Sequence, residues 1–164
     1  VFSFSKNEEV FSSTYVQTKN IFSKKLDDFC IKNHIYYDDI FIGNTFGKND
    51  ERKKIIPLMI KSLQNNKKNP LLNHDLYINF VDVELILEFI NTQLSKNSSQ
   101  KYVIYSKEDY NLGTIYSFLQ STITKQPLQS IKTKNNEISK LIPPNYLMVE
   151  FEFDIHSSLK LLLK

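Results

Sequence analysis

The chain has 164 residues, 41% hydrophobic and 24% charged, the make-up of one soluble globular domain long enough to bury a core. Its formal net charge is +3 and Arg52 is the sole arginine among many lysines, so neither bulk charge nor bidentate phosphate or guanine grip points to nucleic acid. No apolar run nears the roughly 20 residues of a membrane span, no signal-peptide pattern is present, and a lone Cys30 excludes an internal disulfide framework and suits a reducing cytoplasm.

In chain order, VFSFS (1–5) reads as a short buried strand. From Thr14 to about Asn33 the apolar residues Tyr15, Ile21, Phe22, Leu26, Phe29 and Cys30 fall on one helical face, with Ser13 or Thr14 as the cap. The β-branched and aromatic run IYYDDIFIG (35–43) predicts a strand, ending in the turn-rich NTFGKND. KKIIPLMIKSLQ (53–64) predicts a helix with Pro57 in its first turn. LYINFV (76–81) predicts a strand, and Asp82 caps a helix over VELILEFINTQL. A strand at KYVIYS (101–106) and a helix at 112–123 follow. LQSIKT (128–133) and YLMVEFEF (146–153) are strand candidates, and Asp154 caps a closing helix through Leu163. Strands alternating with helices predict an α/β fold with parallel pairing. Only Gly43, Gly47 and Gly113 occur, so no glycine-rich phosphate cradle is present. The 164 residues read as a single unit, with no linker to divide them.

Tyr15 and Lys19 stand four residues apart, hence side by side on a helix. A phenol has a pKa near 10, and a neighbouring ammonium favours the phenolate. A tyrosine so tuned can move a proton near neutral pH. Ser5 or Ser3, at the end of the first strand, could hold a substrate oxygen beside it. The bland alternative is a half-buried tyrosine next to a solvated lysine.

The order of these segments resembles the later half of the extended short-chain dehydrogenase/reductases, most of all the NAD-dependent epimerase/dehydratase group acting on nucleotide sugars. Members carry Tyr-x-x-x-Lys, then a strand running into an Asn-x-Tyr-Gly turn, an Ile-Pro helix and a Phe-Val-x-Val-Asp-Asp strand-to-helix turn. Here the counterparts are Tyr15 to Lys19, IGNTFG, KKIIPLMI and LYINFVDVELILEFI. KYVIYSKEDYNLGTIYSFLQ is similar to their Tyr-Asn-Ile-Gly segment, and DIHSSLKLLLK to their closing helix. The short span between VFSFS and Tyr15 resembles the branch that makes dideoxyhexoses such as abequose and paratose.

The resemblance implies the later half of a Rossmann-like parallel sheet plus a small α/β substrate-binding subdomain. It implies Tyr15 as catalytic acid/base, and Lys19 as the residue that lowers the tyrosine's pKa and holds the nicotinamide ribose. Ser5 would be the hydroxyl partner with Ser3 as second choice, and Asn44 would touch the nucleotide sugar. NAD or NADP would be bound mainly by a part absent from this chain. The expected enzyme is an epimerase, dehydratase or reductase, working as a homodimer through the helix from Tyr15 to Asn33. Val1 rather than Met at the start leads us to expect a processed or trimmed chain, or the later part of a longer one.

The sequence departs from the pattern in places. The glycine-rich turn is absent, Asp75 or Leu76 stands where an arginine is usual, Val81 replaces the first Asp, and Phe46 replaces the turn's tyrosine. Arg52, with Lys48, is the candidate to replace the lost arginine at a diphosphate. The lost positions suit a second expectation, a non-catalytic truncated homologue acting as a binding or interaction module. Cys30 and His34 are also i, i+4, but two ligands do not make a metal site, so none is expected. Asp27–Asp28 and Asp38–Asp39 are read as solvated faces, because sequence neighbours point apart. Ser12, Ser13 and Thr14 are read as caps, with no histidine placed to activate them.

Overall fold

The computed structural model describes residues 14–65, 73–138, 142 and 144–164, with backbone alone at Tyr15 and Val16. The expected strand at 1–5 lies outside the described residues. Helix α1 (Thr14–Lys32) leads into strands β1 (Asp38–Ile42) and β2 (Asn44–Phe46), then α2 (Ile55–Gln64) and β3 (Tyr77–Asp82). Next come α3 (Val83–Gln93), β4 (Gln100–Ser106), β5 (Glu108–Asn111) and α4 (Leu112–Ile123). The chain continues through β6 (Thr133–Asn135), β7 (Leu147–Phe151) and α5 (Ile155–Leu161).

Two sheets result. One is parallel throughout, in the order β1-β4-β7; the other runs β2-β3-β5-β6. In the second, β2 pairs parallel with β3, and β3-β5 and β5-β6 are antiparallel. Phe41 stands opposite Val103 and Ile42 opposite Ile104. Strand side chains alternate between faces, and the packing follows that period. Ile40, Ile42, Ile104 and Val149 meet Val81 and Ile86 on one face. Phe41, Val103 and Tyr105 meet Ile138 and Tyr146 on the other. α3 covers the first face, and α1 binds the second: Ser23 donates to Asp39 (2.7 Å), and Asp27 pairs with Lys101. A parallel sheet covered on both faces is the Rossmann-type solution to strands apolar on both sides.

The second sheet has its own core. Phe46, Phe80, Tyr110, Ile56, Met59, Ile115, Phe118 and Leu159 join β2, β3 and β5 to α2, α4 and α5.

Several expectations shift. NTFGKND is not all turn: Asn44–Phe46 forms β2, because β3 offers it a parallel edge. The strand expected at 128–133 lies instead at Thr133–Asn135, where β5 pairs with it. β5 follows β4 after Lys107 alone and so changes sheets. α1 does not bury a single apolar face. Ser23, Leu26, Asp27 and Cys30 turn inward, while Ile21, Phe22 and Phe29 are more than half exposed. The polar contacts at Asp39 and Lys101 select the inward line. Asp27, Asp38 and Asp39 are correspondingly not free solvated groups, since Asp38 accepts the Gln100 N–H at 3.1 Å.

Candidate active site at the carboxyl edge of the parallel sheet

A residue in α1 can be levelled against β1 from one hydrogen bond. The two elements are joined by a short turn and run antiparallel. Ser23 sits beside Asp39. A helix rises about 1.5 Å per residue and a strand about 3.3 Å. Lys19, one turn before Ser23, is therefore level with about Phe41, and Tyr15 with about Gly43. Continued at ideal rise, the first turn of α1 points toward the carboxyl ends of the parallel strands, where open α/β sheets bind their ligands. Lys19 is exposed there. The Tyr15 side chain, and Ser3 and Ser5, lie outside the described residues.

Asn44 follows directly at this edge. Its Nδ2 donates to the Asn79 carbonyl at 3.4 Å. Asn79, which sequence reasoning passed over, is buried and makes four side-chain bonds. Oδ1 accepts the Ser106 N–H at 2.8 Å; Nδ2 donates to Ser106 O (2.9 Å), Glu108 O (3.0 Å) and Asp109 Oδ1 (3.0 Å). Asn136 adds bonds to the carbonyls of Ser106 and Lys107 at 2.6 and 2.7 Å. The two amides clamp the joint at which the chain leaves one sheet for the other. Behind it the Ser106 and Tyr110 hydroxyls share a hydrogen bond of 3.0 Å, and burial pushes the Tyr110 phenol above its ordinary value. A polar residue amid the apolar letters of LYINFV was the available signal for Asn79.

Arg52 approaches β2 differently. Nε and Nη2 bind the two Asp50 carboxylate oxygens at 2.7 and 2.8 Å, and Nη2 also reaches the Thr45 hydroxyl at 3.3 Å. The guanidinium holds the Asp50 carboxyl below its usual value. Arg52 thus meets β2 at Thr45, one residue along the strand from Asn44. Arg52 lines a cleft of about 730 Å³ with Phe46, Asp50, Lys53, Ile56 and Lys61.

Other motifs resolve into structure. Asp82 caps α3, accepting the Glu84 N–H at 3.1 Å, and Val81 is fully buried. In Tyr-Asn-Leu-Gly (110–113), Asn111 caps α4 by accepting from Thr114 N at 3.0 Å and donates to His74 O at 2.9 Å. Gly113 lets its own N–H reach the same carbonyl at 3.2 Å. A Cβ there would stand 2.8 Å from that oxygen. Cys30 is buried while His34 ends α1 with φ 53°. Ile35 N–H bonds Cys30 O (2.9 Å) and His34 N–H bonds Ile31 O (3.3 Å), a Schellman closure. Among the described residues no three His, Cys, Asp or Glu side chains gather as a metal site. No helix among them is long and apolar enough to cross a membrane.

No family model matches the chain, and no curated protein sequence matches it. Among solved structures it is similar to RMD from Pseudomonas aeruginosa, determined in complex with NADPH. The TM-score is 0.56 at 15% identity, over 83% of this chain and 49% of that one. The chain has a Rossmann-like fold. It spans about half the length of the protein it matches.

Proposed function

We propose that the chain is the substrate-side part of an NAD(P)-dependent enzyme that epimerises, dehydrates or reduces a nucleotide sugar, in the manner of the extended short-chain dehydrogenase/reductases. The observation that supports this reading is the Ser23–Asp39 hydrogen bond, which fits a level of α1 on β1 at which Tyr15 and Lys19 would face the carboxyl edge of the parallel sheet. The likeness to an NADPH-complexed protein supports it.

In this reading Tyr15 passes the proton of a sugar hydroxyl, with Ser5, or Ser3, holding the oxygen. Lys19 favours the phenolate and holds the nicotinamide ribose. Asn44, steadied on Asn79, binds the sugar or its phosphates, and Arg52 binds the diphosphate side. A nicotinamide cofactor would supply hydride exchange. The exposed Lys19 ammonium suits the ribose end of such a cofactor, whereas this chain's three glycines form no glycine-rich turn for the diphosphate. The glycine-rich half is therefore assigned to a part outside the 164 residues. The uncovered Ile21, Phe22 and Phe29 of α1 suit a homodimer through that helix.

A second reading, a non-catalytic homologue serving as a binding or interaction module, draws on Val81. That residue is sealed in the core where an aspartate is usual.

The test is Tyr15→Phe in the complete polypeptide assayed on nucleotide sugars. A fall in kcat of about 10²-fold or more is expected from losing the acid/base group. Unchanged turnover ends the catalytic assignment. Absence of any nucleotide-sugar binding by calorimetry ends the substrate reading and leaves the interaction module.

A further inference from the structure

The cleft beside α2 holds a carboxylate in an unusual setting. The Asp50 side chain is only 7% exposed, while that of its partner Arg52 is 59% exposed. Asp50 Oδ1 accepts both the Arg52 backbone N–H (3.1 Å) and Nε (2.7 Å), and Oδ2 accepts Nη2 (2.8 Å). A carboxylate in that bidentate position has the geometry with which arginine receives a phosphate. Lys53 and Lys61 line the same cleft, and Lys54 acts on Asp50 electrostatically. Glu51 lies on the same rim, so apart from Asp50 the charged lining is cationic on balance, and the anion it holds is the chain's own.

We propose that Asp50 is a built-in surrogate anion, occupying the guanidinium edge of Arg52 that a phosphate-bearing ligand would take. A ligand taking that Nε–Nη2 edge enters by displacing it. Thr45 then has a defined part: its hydroxyl keeps Nη2 at β2 while the carboxylate swings away. The two-residue spacing of Asp50 and Arg52 makes the exchange local, needing rotation of a loop side chain and no movement of either sheet. This deepens the assignment of Arg52 to the diphosphate side of the substrate and rests on it, but adds a gate that Tyr15 chemistry does not require.

The experiment is calorimetric titration of inorganic diphosphate into the complete polypeptide and its variants at fixed ionic strength. Asp50→Asn is expected to tighten binding by roughly ten- to hundredfold, the size of one charge-assisted hydrogen bond. Arg52→Gln should abolish the gain when combined with it. Glu51→Gln removes an equal charge from the same cleft rim without touching Arg52, and should change affinity less than threefold. Asp50→Ser serves if Asp50→Asn does not fold. A nucleoside diphosphate titrated alongside separates the sources. Tighter binding than inorganic diphosphate assigns the gate to a nucleotide ligand, and equal binding to free phosphate groups. The proposal is overturned if neither Asp50 variant tightens binding, if Glu51→Gln tightens it equally, or if the gain survives Arg52→Gln. Because this readout needs no turnover, an inactive Tyr15→Phe or a silent one leaves the result for Asp50 standing by itself.

Discussion

Asn79 Oδ1 accepts the backbone N–H of Ser106 at 2.8 Å, although the two residues belong to different sheets. The same amide donates to Ser106 O, Glu108 O and Asp109 Oδ1. Its orientation is forced, because one end faces a donor and the other faces three acceptors.

Asn79→Asp is therefore expected to be more damaging than its near-identical shape suggests. The substituted carboxylate would turn an oxygen toward three acceptor oxygens. A loss of about 2–4 kcal/mol follows from a buried charge against unpaired acceptors, read as a lower urea midpoint with unchanged slope. Asn79→Leu should cost a similar amount, since Ser106 N–H loses its partner. A change below about 0.5 kcal/mol in both would show that the joint does not depend on this residue.

Gly113→Ala tests the approach of His74 to α4. The added methyl would meet His74 O at 2.8 Å and Nδ1 at 3.0 Å. The backbone carbonyl cannot yield without losing its bonds from Gly113 N and Asn111 Nδ2. A destabilisation of about 1–3 kcal/mol is expected, despite alanine's better helix propensity. Thermal denaturation that finds the variant more stable would refute this account.

His34→Gly and Lys125→Gly should both stabilise. α4 ends as α1 does: Gln126 N–H bonds Ser121 O at 2.9 Å, and Lys125 has φ 54°. With three glycines in all, the chain fills both left-handed closures with residues that pay a steric cost there. Each substitution should add about 0.5–1 kcal/mol after the entropy of the unfolded chain is counted. The two sites lie on separate helix ends, so the double variant should give the sum.

Lys101 gives a pH dependence. Its hydrogen bond to Asp27 raises its pKa above the ordinary 10.5. A group whose folded pKa is raised stabilises fully below the unfolded value and loses that contribution as pH rises through the folded one. The stability gap between wild type and Lys101→Met should therefore be constant from pH 7 to about 9.5 and shrink above about 10.5. Both side chains are about one quarter exposed, so the gap should be near 1 kcal/mol. A gap that widens in alkali would contradict the pairing.

Much of the architecture was legible because its periods are strong. The capped run after Asp82 and the helix at 112–123 appear within a residue or two of their expected bounds, and the β-branched, aromatic IYYDDIFIG narrows to a strand at Asp38–Ile42. β6 was misplaced because Thr133, Lys134 and Asn135 are all exposed and carry no hydropathic period. β5 was missed because a single residue separates it from β4, and a change of sheet leaves no gap to read. At the site, the spacing of Tyr15 and Lys19 was visible and the helix bearing them is present. The clamp at Ser106 was not, since Asn79 and Asn136 meet it only after both sheets exist.

The order β1-β4-β7 also sets a timetable for synthesis. Asp38 meets Gln100 62 residues later, and β4 must then wait for Leu147–Phe151. A ribosome adding roughly 5–20 residues per second leaves β1 without β4 and β7, its sheet partners among the described residues, for on the order of ten seconds. Such non-local closure is slow even once the whole chain is available. The nascent polypeptide thus passes through a long aggregation-prone interval, and slower, cooler expression with chaperones should raise the yield of folded protein.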